Sequence, residues 1–374
     1  MLCRTPLTAL VLCLATSASA SAQQTTTRLV HDEQAGEFVV EIGPMHVPVG
    51  AMEPAEAGQH AHGGGGSDPH AVHGGAVFAP VEIVTFPVGG YLHAFSYEVV
   101  DGEGRALPVE VLHHLNLINP DNRELFLPIS QRMLAVGKET GSQGMPWLLL
   151  GYPVPGGTRM AVSAMLHNPT GKEHHGVMVR VHLEYTPVGR PWPLFNVYPF
   201  QMDVAFPAGD KSFDLPPGRS AWSYEASPSI EGRIMAVGGH FHEHAVSLTF
   251  EDVTTGKLIW EGFPIEDDDG NLTGVTLGRL YRTLGEKVYP DHVYRVTVTY
   301  ENPFPDTLYA GGMGVIGGVF MPSGGGMWPR ADTANELYAL DRMHYMRQVR
   351  GKYEEIMALE DVSQAPGEGQ THSH

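Results

Sequence analysis

Residues 238–250 read GGHFHEHAVSLTF and place three histidines two residues apart, ahead of an apolar segment. Side chains on a β-strand alternate between its faces, so His240, His242 and His244 are predicted on one face and Phe241 on the other. Neutral imidazole is the commonest metal ligand in proteins, and imidazoles lined up in this way form part of a metal site. The alternative is a solvated, polar strand edge, and the rest of the chain decides between the two.

The composition is that of a globular protein with many turns. The length of 374 residues is enough for two domains or one large one. Of these residues, 42% are hydrophobic and 17% are charged. The 45 glycines and 29 prolines favour short strands over long helices. The formal net charge of −19 argues against nucleic acid and anionic membrane surfaces as partners, and is compatible with metal cations or organic amines.

Residues 1–22 are predicted to be a signal peptide, with Arg4 as its positive region and residues 7–15 as its apolar region. No later apolar run is long enough to span a bilayer. Both cysteines, Cys3 and Cys13, lie inside the signal, so the mature chain has neither thiolate ligands nor disulfides. We therefore expect a periplasmic or secreted protein that depends on its core, and any metal in it must be held by His, Met and carboxylates.

The chain after the signal divides into four regions. Residues 23–79 are predicted to be irregular, and their glycine-rich part at 59–75 is either a loose metal-binding tract or a variable insertion. Its histidines are His60, His62, His70 and His73. From residue 80 onwards, short runs separated by Gly and Pro predict an all-β protein of two consecutive jelly-roll (antiparallel β-sandwich) domains, at 80–190 and 191–325. Residues 326–374 are predicted to form a C-terminal helix and tail.

Ten runs are predicted as strands, at residues 81–86, 91–99, 109–118, 161–166, 177–185, 232–237, 245–250, 257–261, 293–300 and 314–320. The one predicted helix spans residues 332–359, and its Leu337, Leu340 and His344 are expected to pack on the second domain. The acidic run at 267–271 lacks the ligand spacing of a calcium loop and is predicted to be a hairpin turn.

The first domain contains two candidate ligand motifs. His113 and His114 lie inside the apolar run at 111–117, and adjacent residues on a regular strand reach one metal only at a strand end or an irregularity. The alternative is one core histidine and one surface histidine. His167 ends an apolar strand before a turn set by Asn168 and Pro169. A three-imidazole site would combine His113, His114 and His167, with His174, His175 and His182 as nearby alternatives of which the first two lie in a polar turn.

The second domain adds a methionine in the glycine-rich run at 310–318. Met313 has little neighbouring side-chain surface to pack on, although a gap-filling core methionine is the alternative interpretation. Thioether sulfur is a soft ligand, so two imidazoles and one methionine select copper, particularly Cu(I), over zinc.

The order of these motifs resembles the ascorbate-dependent type II copper monooxygenases, the family of peptidylglycine α-hydroxylating monooxygenase and dopamine β-hydroxylase. The elements are His-His, His before Asn-Pro, His-x-His on a strand and Met on a later strand. The similarity covers residues 80–322 and includes LHNPTGKEHHGVMVRVHLEYTP at 166–187. It implies two consecutive jelly rolls that each bind one copper ion, so two ions per chain.

The resemblance also implies roles for the ligands. His113, His114 and His167 would hold an electron-transfer copper, whereas His240, His242 and Met313 would hold the oxygen-binding copper at which catalysis takes place. The implied activity is hydroxylation of an activated C–H bond in a small substrate, with O2 and an external electron donor such as ascorbate. The two ligand sets are expected to converge separately across a solvent cleft, with His244 as an extra histidine beside the second set.

The chain departs from the family in two respects. The animal enzymes contain disulfides, which the mature chain cannot form. Gly238, Val315 and Gly317 stand where the peptide-amidating enzyme places the Arg, Asn and Tyr that hold its substrate, so a peptide ending in glycine is not expected here. Two other interpretations stay open: a non-catalytic periplasmic copper-binding or copper-handling protein, and a structural or adhesive double jelly roll with incidental histidines. The substrate and the oligomeric state do not follow from the sequence.

Overall fold

The computed structural model describes residues 24–49, 77–137, 141–205, 211–268, 270–325 and 328–347. The predicted signal peptide, the histidine-rich loop, residues 348–359 of the predicted helix and the C-terminal tail lie outside the described residues. Among those that are described, no helix is long and apolar enough to cross a membrane.

Across the described residues the chain forms 24 strands and one α-helix, as expected for an all-β protein. The first twelve strands are β1 (Thr26–Asp32), β2 (Glu37–Val47), β3 (Val77–Phe78), β4 (Glu82–Thr85), β5 (Gly90–Val100), β6 (Leu112–Arg123), β7 (Ser130–Gly137), β8 (Gln143–Gly144), β9 (Leu150–Val154), β10 (Arg159–Leu166), β11 (His174–Pro187) and β12 (Phe195–Asn196).

The other twelve are β13 (Tyr198–Asp203), β14 (Phe213–Leu215), β15 (Gly218–Ala226), β16 (Gly232–Phe241), β17 (Ala245–Asp252), β18 (Lys257–Gly262), β19 (Pro264–Glu266), β20 (Leu272–Val275), β21 (Glu286–Val288), β22 (Tyr294–Asn302), β23 (Leu308–Gly312) and β24 (Gly314–Pro322). The helix α1 spans Glu336–Arg347, and short 3-10 helices span Val109–Val111, Leu280–Thr283 and Ser323–Gly325.

Each of the ten predicted strands overlaps a strand of the structure, although the first three residues of the prediction at 109–118 form the 3-10 helix Val109–Val111 instead. Alternation is clearest in β22, where Val296, Val298 and Tyr300 are fully buried and the residues between them are only partly buried. The acidic run is also confirmed as a turn between β19 and β20, closed by the N–H of Asn271, which donates to Asp267 Oδ1 at 2.8 Å.

The prediction of an irregular region at 23–79 is wrong for its first part. Strands β1 and β2 form an antiparallel hairpin, and β2 also pairs with β11. Phe38, Val40 and Ile42 alternate along β2 and are fully buried in the first core. Burial of this alternating face fixes the segment as a strand, although the glycine-rich run that follows it has no such pattern.

The first core lies between two sheets. One has the order β1-β2-β11-β5-β9-β12 with β8 beside β5, and the other has the order β3-β10-β6-β7 with β4 beside β10. Phe38 and Val181 from the first sheet meet Leu117 and Val162 from the second. Because inward-facing residues alternate with outward-facing ones, β6 and β10 leave their other side chains on an outer face.

The second core also lies between two antiparallel sheets, of order β13-β24-β16-β21 and β15-β22-β17-β18. Phe241 and Ile316 from one sheet pack against Phe250 and Val298 from the other. Two small ladders, β14-β23 and β19-β20, flank this core.

Residues 125–129, between β6 and β7, belong to the second core although their neighbours in sequence build the first. The Phe126 ring lies 5.8 Å from the rings of Phe200 and Phe250 and 5.9 Å from that of Tyr294. Just before this segment, Glu124 is fully buried and accepts a hydrogen bond from the N–H of Gln201 on β13 at 3.2 Å. The two cores are therefore joined by buried side chains.

The helix differs from the prediction in position and in packing. It begins at Glu336, later than predicted, where the side chain of Asn335 caps the N–H of Leu337 at 2.9 Å. Leu337 packs against the second core as expected, but Leu340 is 44% exposed. The buried face of the helix is directed elsewhere: Tyr345 and Met346 join a small cluster with Ile118 and Ala161 of the five-stranded sheet and with Val81, which precedes β4.

Candidate metal centre

His113 and His114 lie at a bulge in β6. Leu112 pairs with Leu166 of β10 and His114 pairs with Met165, so His113 is the extra residue between the two pairs. A bulge sets two residues of one strand opposite one of its partner and bends the strand. The two imidazoles consequently approach each other, with ring centroids 4.2 Å apart. This is the irregularity that two adjacent histidines need in order to reach one metal ion.

His167 follows directly on β10, beside the same bulge. Its N–H donates to the carbonyl oxygen of Val111 at 3.0 Å. Leu112 and Leu166 are fully buried, so alternation places His113 and His167 on the outer face of the five-stranded sheet. The three predicted residues thus lie on the same face of the sheet, where β6 begins and β10 ends.

The alternatives for this ligand set lie elsewhere. His174 and His175 begin β11, and His182 lies further along it, in the seven-stranded sheet on the other side of the first core. His182 Nδ1 is 3.1 Å from Glu37 Oε2 on β2. His174, His175 and His182 are therefore separated from the bulge at His113 by the first core.

The second predicted set lies where β16 meets β24. The register pairs His240 with Val315 and Phe241 with Gly314, so His242 and Met313 are the residues that adjoin the last pair of this ladder. Phe241, between the two histidines, is buried in the second core, so both imidazoles lie on the opposite face. Their ring centroids are 5.4 Å apart, and the Nε2 atom of His240 is buried from solvent.

A residue that the sequence analysis missed holds this set together. The hydroxyl of Tyr300, on β22, accepts hydrogen bonds from the backbone N–H groups of His242 and Met313, each at 3.0 Å, and donates to the carbonyl oxygen of Met313 at 2.5 Å. Tyr300 is fully buried. A buried tyrosine needs a partner for its hydroxyl, which is the signal in the sequence, but the partner is set by the packing of two sheets.

The two histidine pairs form one row rather than two separated sites. The ring centroids of His114 and His240 are 6.2 Å apart, between the pairs His113–His114 and His240–His242. The expectation of two sets on opposite sides of a solvent cleft therefore differs from the structure. The joined cores bring the first residues of β6 against the end of β16. This contact cannot be predicted from the sequence of either strand alone.

The three histidines of the first predicted set share a face without bringing their ring nitrogens together. Within the described part of the chain, three ligating atoms of His, Cys, Asp or Glu come within 4.8 Å of one another at His46, Glu173 and His175. The nitrogens of His113, His114 and His167 do not meet at that distance.

His244 does not share the face of His240 and His242. Strand β16 ends at Phe241, and residues 242–244 turn the chain from one sheet of the second core to the other. His244 has a backbone φ of 69°, and its ring lies edge-on to Phe304 at 5.5 Å. The left-handed backbone breaks the strand alternation, so the prediction of three histidines on one strand face is correct for a pair only.

A cavity of about 130 Å³ adjoins this turn. Its lining residues come from the turn and from the β19–β20 ladder, and they are His242, Glu243, His244, Ala245, Pro264, Glu266, Gly270 and Leu272. Two carboxylates therefore border the space next to His242.

Glycines continue β16 and β24 beyond His240, on the side away from His242. Gly238 pairs with Gly317 one step beyond the pair His240–Val315, on the same face of the sheet. A Cβ at Gly317 would come no closer than 3.8 Å to another atom, whereas one at Gly238 would lie 2.6 Å from Cδ2 of Leu277, whose side chain covers that position. The outer face is therefore open at Gly317 and covered by Leu277 at Gly238.

Known proteins add no identification to this geometry. No protein family and no curated protein sequence matches the chain. The solved structures similar to it include PNGase F, a glycosylasparaginase from Flavobacterium meningosepticum, at 9% identity over 78% of this chain and 98% of that one, with a TM-score of 0.37. PNGF-II is similar at 8% identity over 80% of this chain and 62% of that one, with a TM-score of 0.33. The VP2 subviral particle of infectious bursal disease virus is similar at 13% identity over 81% and 72%, with a TM-score of 0.23. Scores of this size establish neither a shared topology nor a shared function.

The donors of the row fit copper. They are imidazole nitrogens from two strands and the thioether of Met313, with no thiolate or carboxylate among the predicted ligands. This set suits a borderline to soft ion and offers little to Mg²⁺ or Ca²⁺, which prefer oxygen. The buried Nε2 of His240 is a donor shielded from water, as expected for a ligand inside a metal centre.

Proposed function

We propose that the chain is an exported, copper-dependent monooxygenase-like protein that hydroxylates an activated C–H bond of a small substrate with O2 and an external reductant. We infer with it that each β-sandwich is a jelly roll. Pairing of strands far apart in sequence, such as β2 with β11 and β6 with β10, supports this inference, since jelly rolls are built from such long-range connections.

The observation that carries the proposal is the meeting of the two motif pairs. His113–His114 and His240–His242 are separated by more than a hundred residues in the sequence, and yet His114 and His240 are neighbours at 6.2 Å. Incidental surface histidines give no reason for this meeting. The Tyr300 hydroxyl joins the backbones of Met313 and His242, which supports the proposal that the Met313 thioether is the soft ligand beside this pair.

The protein's residues have distinct tasks in this proposal. His113, His114 and His167 would hold one copper ion, and His240, His242 and Met313 the other. Copper, when bound, would supply electron transfer and the activation of O2. Tyr300 positions the Met313 and His242 backbones, and the open face at Gly317 would admit the substrate near His240.

A second candidate function is copper binding or handling without turnover. The observation that favours it is the identity of two residues near His240: Gly238 and Gly317 have no side chains to hold a substrate. A continuous row of imidazoles would also suit the passage of an ion from one end to the other.

Cu(I) titration combined with oxygen consumption tests both functions. We expect the purified protein to bind two Cu(I) ions at the row and to consume O2 when ascorbate is added with a substrate. The His240→Ala variant should lose oxygen uptake, whereas the His244→Ala variant should retain it, because His244 is turned towards Phe304.

The outcomes separate the interpretations. Two tightly bound ions without oxygen uptake across a panel of substrates would favour the handling role. Unchanged Cu(I) binding in a variant that lacks both His114 and His240 would eliminate both functions.

A further inference from the structure

We propose that His46, Glu173 and His175 form a further metal site, which takes a divalent transition cation of the Zn²⁺ and Cu²⁺ type. Their ligating atoms all lie within 4.8 Å of one another. His46 Nε2 is 2.5 Å from Glu173 Oε1, and His175 Nε2 is 3.7 Å from Glu173 Oε2. The two imidazole rings are stacked, with centroids 4.5 Å apart and an interplanar angle of 5°.

A bulge at the start of β11 builds this group. His174 pairs with Val47 and Val177 pairs with Met45 of β2, so two residues of β11, His175 and Gly176, lie opposite the single residue His46. A bulge of this kind re-aims a side chain, which explains why His175 stacks on His46. Gly176 has a φ of 67°, a backbone conformation that glycine adopts without strain.

Buried polar contacts hold the backbone of the ligands in place. The side chain of Asn168 is buried, and its Nδ2 donates to the carbonyl oxygens of Lys172 at 2.5 Å and Pro48 at 3.0 Å, next to Glu173 and close to His46. The carbonyl oxygen of His175 accepts from the N–H of Gly102 at 3.1 Å. A site whose backbone is ordered in advance costs less conformational entropy to bind an ion.

The donor set determines the class of cation. Two imidazoles and one carboxylate match the ligands that zinc and divalent copper take in proteins, whereas Ca²⁺ and Mg²⁺ require oxygen donors. Three ligands leave at least one coordination position open. The formal net charge of −19 favours the approach of any cation.

Only small movements are needed to admit an ion. Ligands bonded to a tetrahedral zinc ion at about 2.0–2.2 Å lie roughly 3.3–3.6 Å apart. The distance between His175 and Glu173 is already near this value, while that between His46 and Glu173 must open by about 1 Å. The side chains of His46 and Glu173 are each 51% exposed and that of His175 is 72% exposed, so no packing resists the change.

Zinc retention by the full chain tests the proposal. The wild-type protein and its variants are dialysed against buffered Zn²⁺, and the zinc retained per chain is measured by inductively coupled plasma mass spectrometry. We expect His175→Ala to lose one equivalent of Zn²⁺. Glu173→Gln should also lose it, because the amide keeps a hydrogen-bonding oxygen but not the charge. His174→Ala is the matched control and should retain all the zinc, since His174 Nε2 is instead 2.7 Å from Thr170 Oγ1.

Equal zinc retention by the wild type, His175→Ala and Glu173→Gln would overturn the proposal and leave a surface hydrogen-bonded cluster. Equal loss in His174→Ala would overturn it as well, because it would trace the effect to the fold of the turn. A His240→Ala variant is measured alongside. It reports on the histidine row alone, so failure of this site and failure of the copper proposal are distinguished.

Discussion

At the scale of single residues, the Tyr300 hydroxyl organises the candidate centre. A hydroxyl has one donor and two acceptor positions, and here all three are used by the backbones of His242 and Met313. One oxygen atom therefore fixes the relative positions of two backbone segments, at the end of β16 and just before β24. Because Tyr300 is fully buried, no water can replace it without a rearrangement of the second core.

Removal of this hydroxyl should destabilise the protein and loosen the centre. In Tyr300→Phe, two backbone N–H groups and one carbonyl lose their partner, which we expect to lower the free energy of unfolding by about 2–4 kcal/mol. Urea denaturation measures this change. The exposed Tyr309 is the control, and Tyr309→Phe should change stability by less than about 0.5 kcal/mol. Equal stability of the two variants would show that the hydroxyl does not order the site.

Met313 is predicted to act through its sulfur rather than its volume. Met313→Leu keeps the size of the side chain, and exchanges of this kind usually cost less than about 1.5 kcal/mol. We expect both Met313→Leu and Met313→Ala to lose ascorbate-driven oxygen uptake while Cu(I) binding at His113 and His114 persists. Normal uptake by Met313→Leu would show that Met313 only fills space. Loss of all copper in Met313→Ala would contradict the assignment of separate ligand sets.

At the scale of elements, the glycines of β16 and β24 have different tasks on the two faces of one sheet. A Cβ at Gly318 would lie 2.1 Å from the backbone oxygen of Ala236, whereas one at the adjacent Gly317 would meet nothing closer than 3.8 Å. Gly318 permits close approach of the two strands, and Gly317 leaves the outer face open.

These neighbours supply a matched pair of variants. Gly318→Ala should lower the free energy of unfolding by roughly 1–3 kcal/mol, because the backbone of β16 must move to admit the methyl group. Gly317→Ala should change it by less than about 0.5 kcal/mol. Thermal or chemical denaturation of both variants measures the difference, and a greater loss in Gly317→Ala would contradict the register of the two strands.

Strand positions could be predicted from the sequence, but their irregularities could not. Alternation along β22 and β24 locates buried faces without reference to any partner. The bulge at His113 depends on how β6 pairs with β10, and the turn at His244 depends on the passage between two sheets. The hairpin of β1 and β2 could not be told apart from the irregular segment because its short alternating runs lead directly into a glycine-rich run without periodicity.

At the scale of the whole molecule, a buried polar network connects the two cores and the helix. Glu124 accepts hydrogen bonds from the N–H groups of Arg132 at 2.6 Å and of Gln201 at 3.2 Å. The guanidinium of Arg132 forms a two-pronged ion pair with Asp341 on α1, and both side chains are largely buried. The network lies next to residues 125–129, which cross from one core to the other.

This network predicts a pH dependence of stability. Burial raises the pKa of Glu124 from its ordinary 4.5 to about 7. Between these values Glu124 keeps a proton in the folded chain that it has released in the unfolded chain, so its contribution to the free energy of unfolding falls as pH rises from about 4.5 to 7. The shift corresponds to roughly 3 kcal/mol.

The Glu124→Gln variant tests this assignment. Its amide does not titrate, so the fall in stability contributed by Glu124 should be absent. The quantity to compare is the slope of unfolding free energy against pH in the two proteins, since the substitution also alters the hydrogen bonds. Identical slopes would mean that Glu124 does not couple protonation to folding.

The ligand pairs could be found in the sequence, but the row that joins them could not. His-His and His-x-His are visible as motifs, and their chemistry follows from the residue types. The contact between His114 and His240 results from the packing of two sandwiches around residues 125–129, a contact of long sequence separation. The triad of His46, Glu173 and His175 likewise needs the bulge that pairs β11 with β2.

The central claim is that copper binds to this row, and an anomalous difference map at the copper edge tests it most directly. Crystals of the copper-loaded protein should show one peak bonded to His113, His114 and His167 and another bonded to His240, His242 and Met313. Copper found only at other positions, with no peak along the row, would contradict the claim.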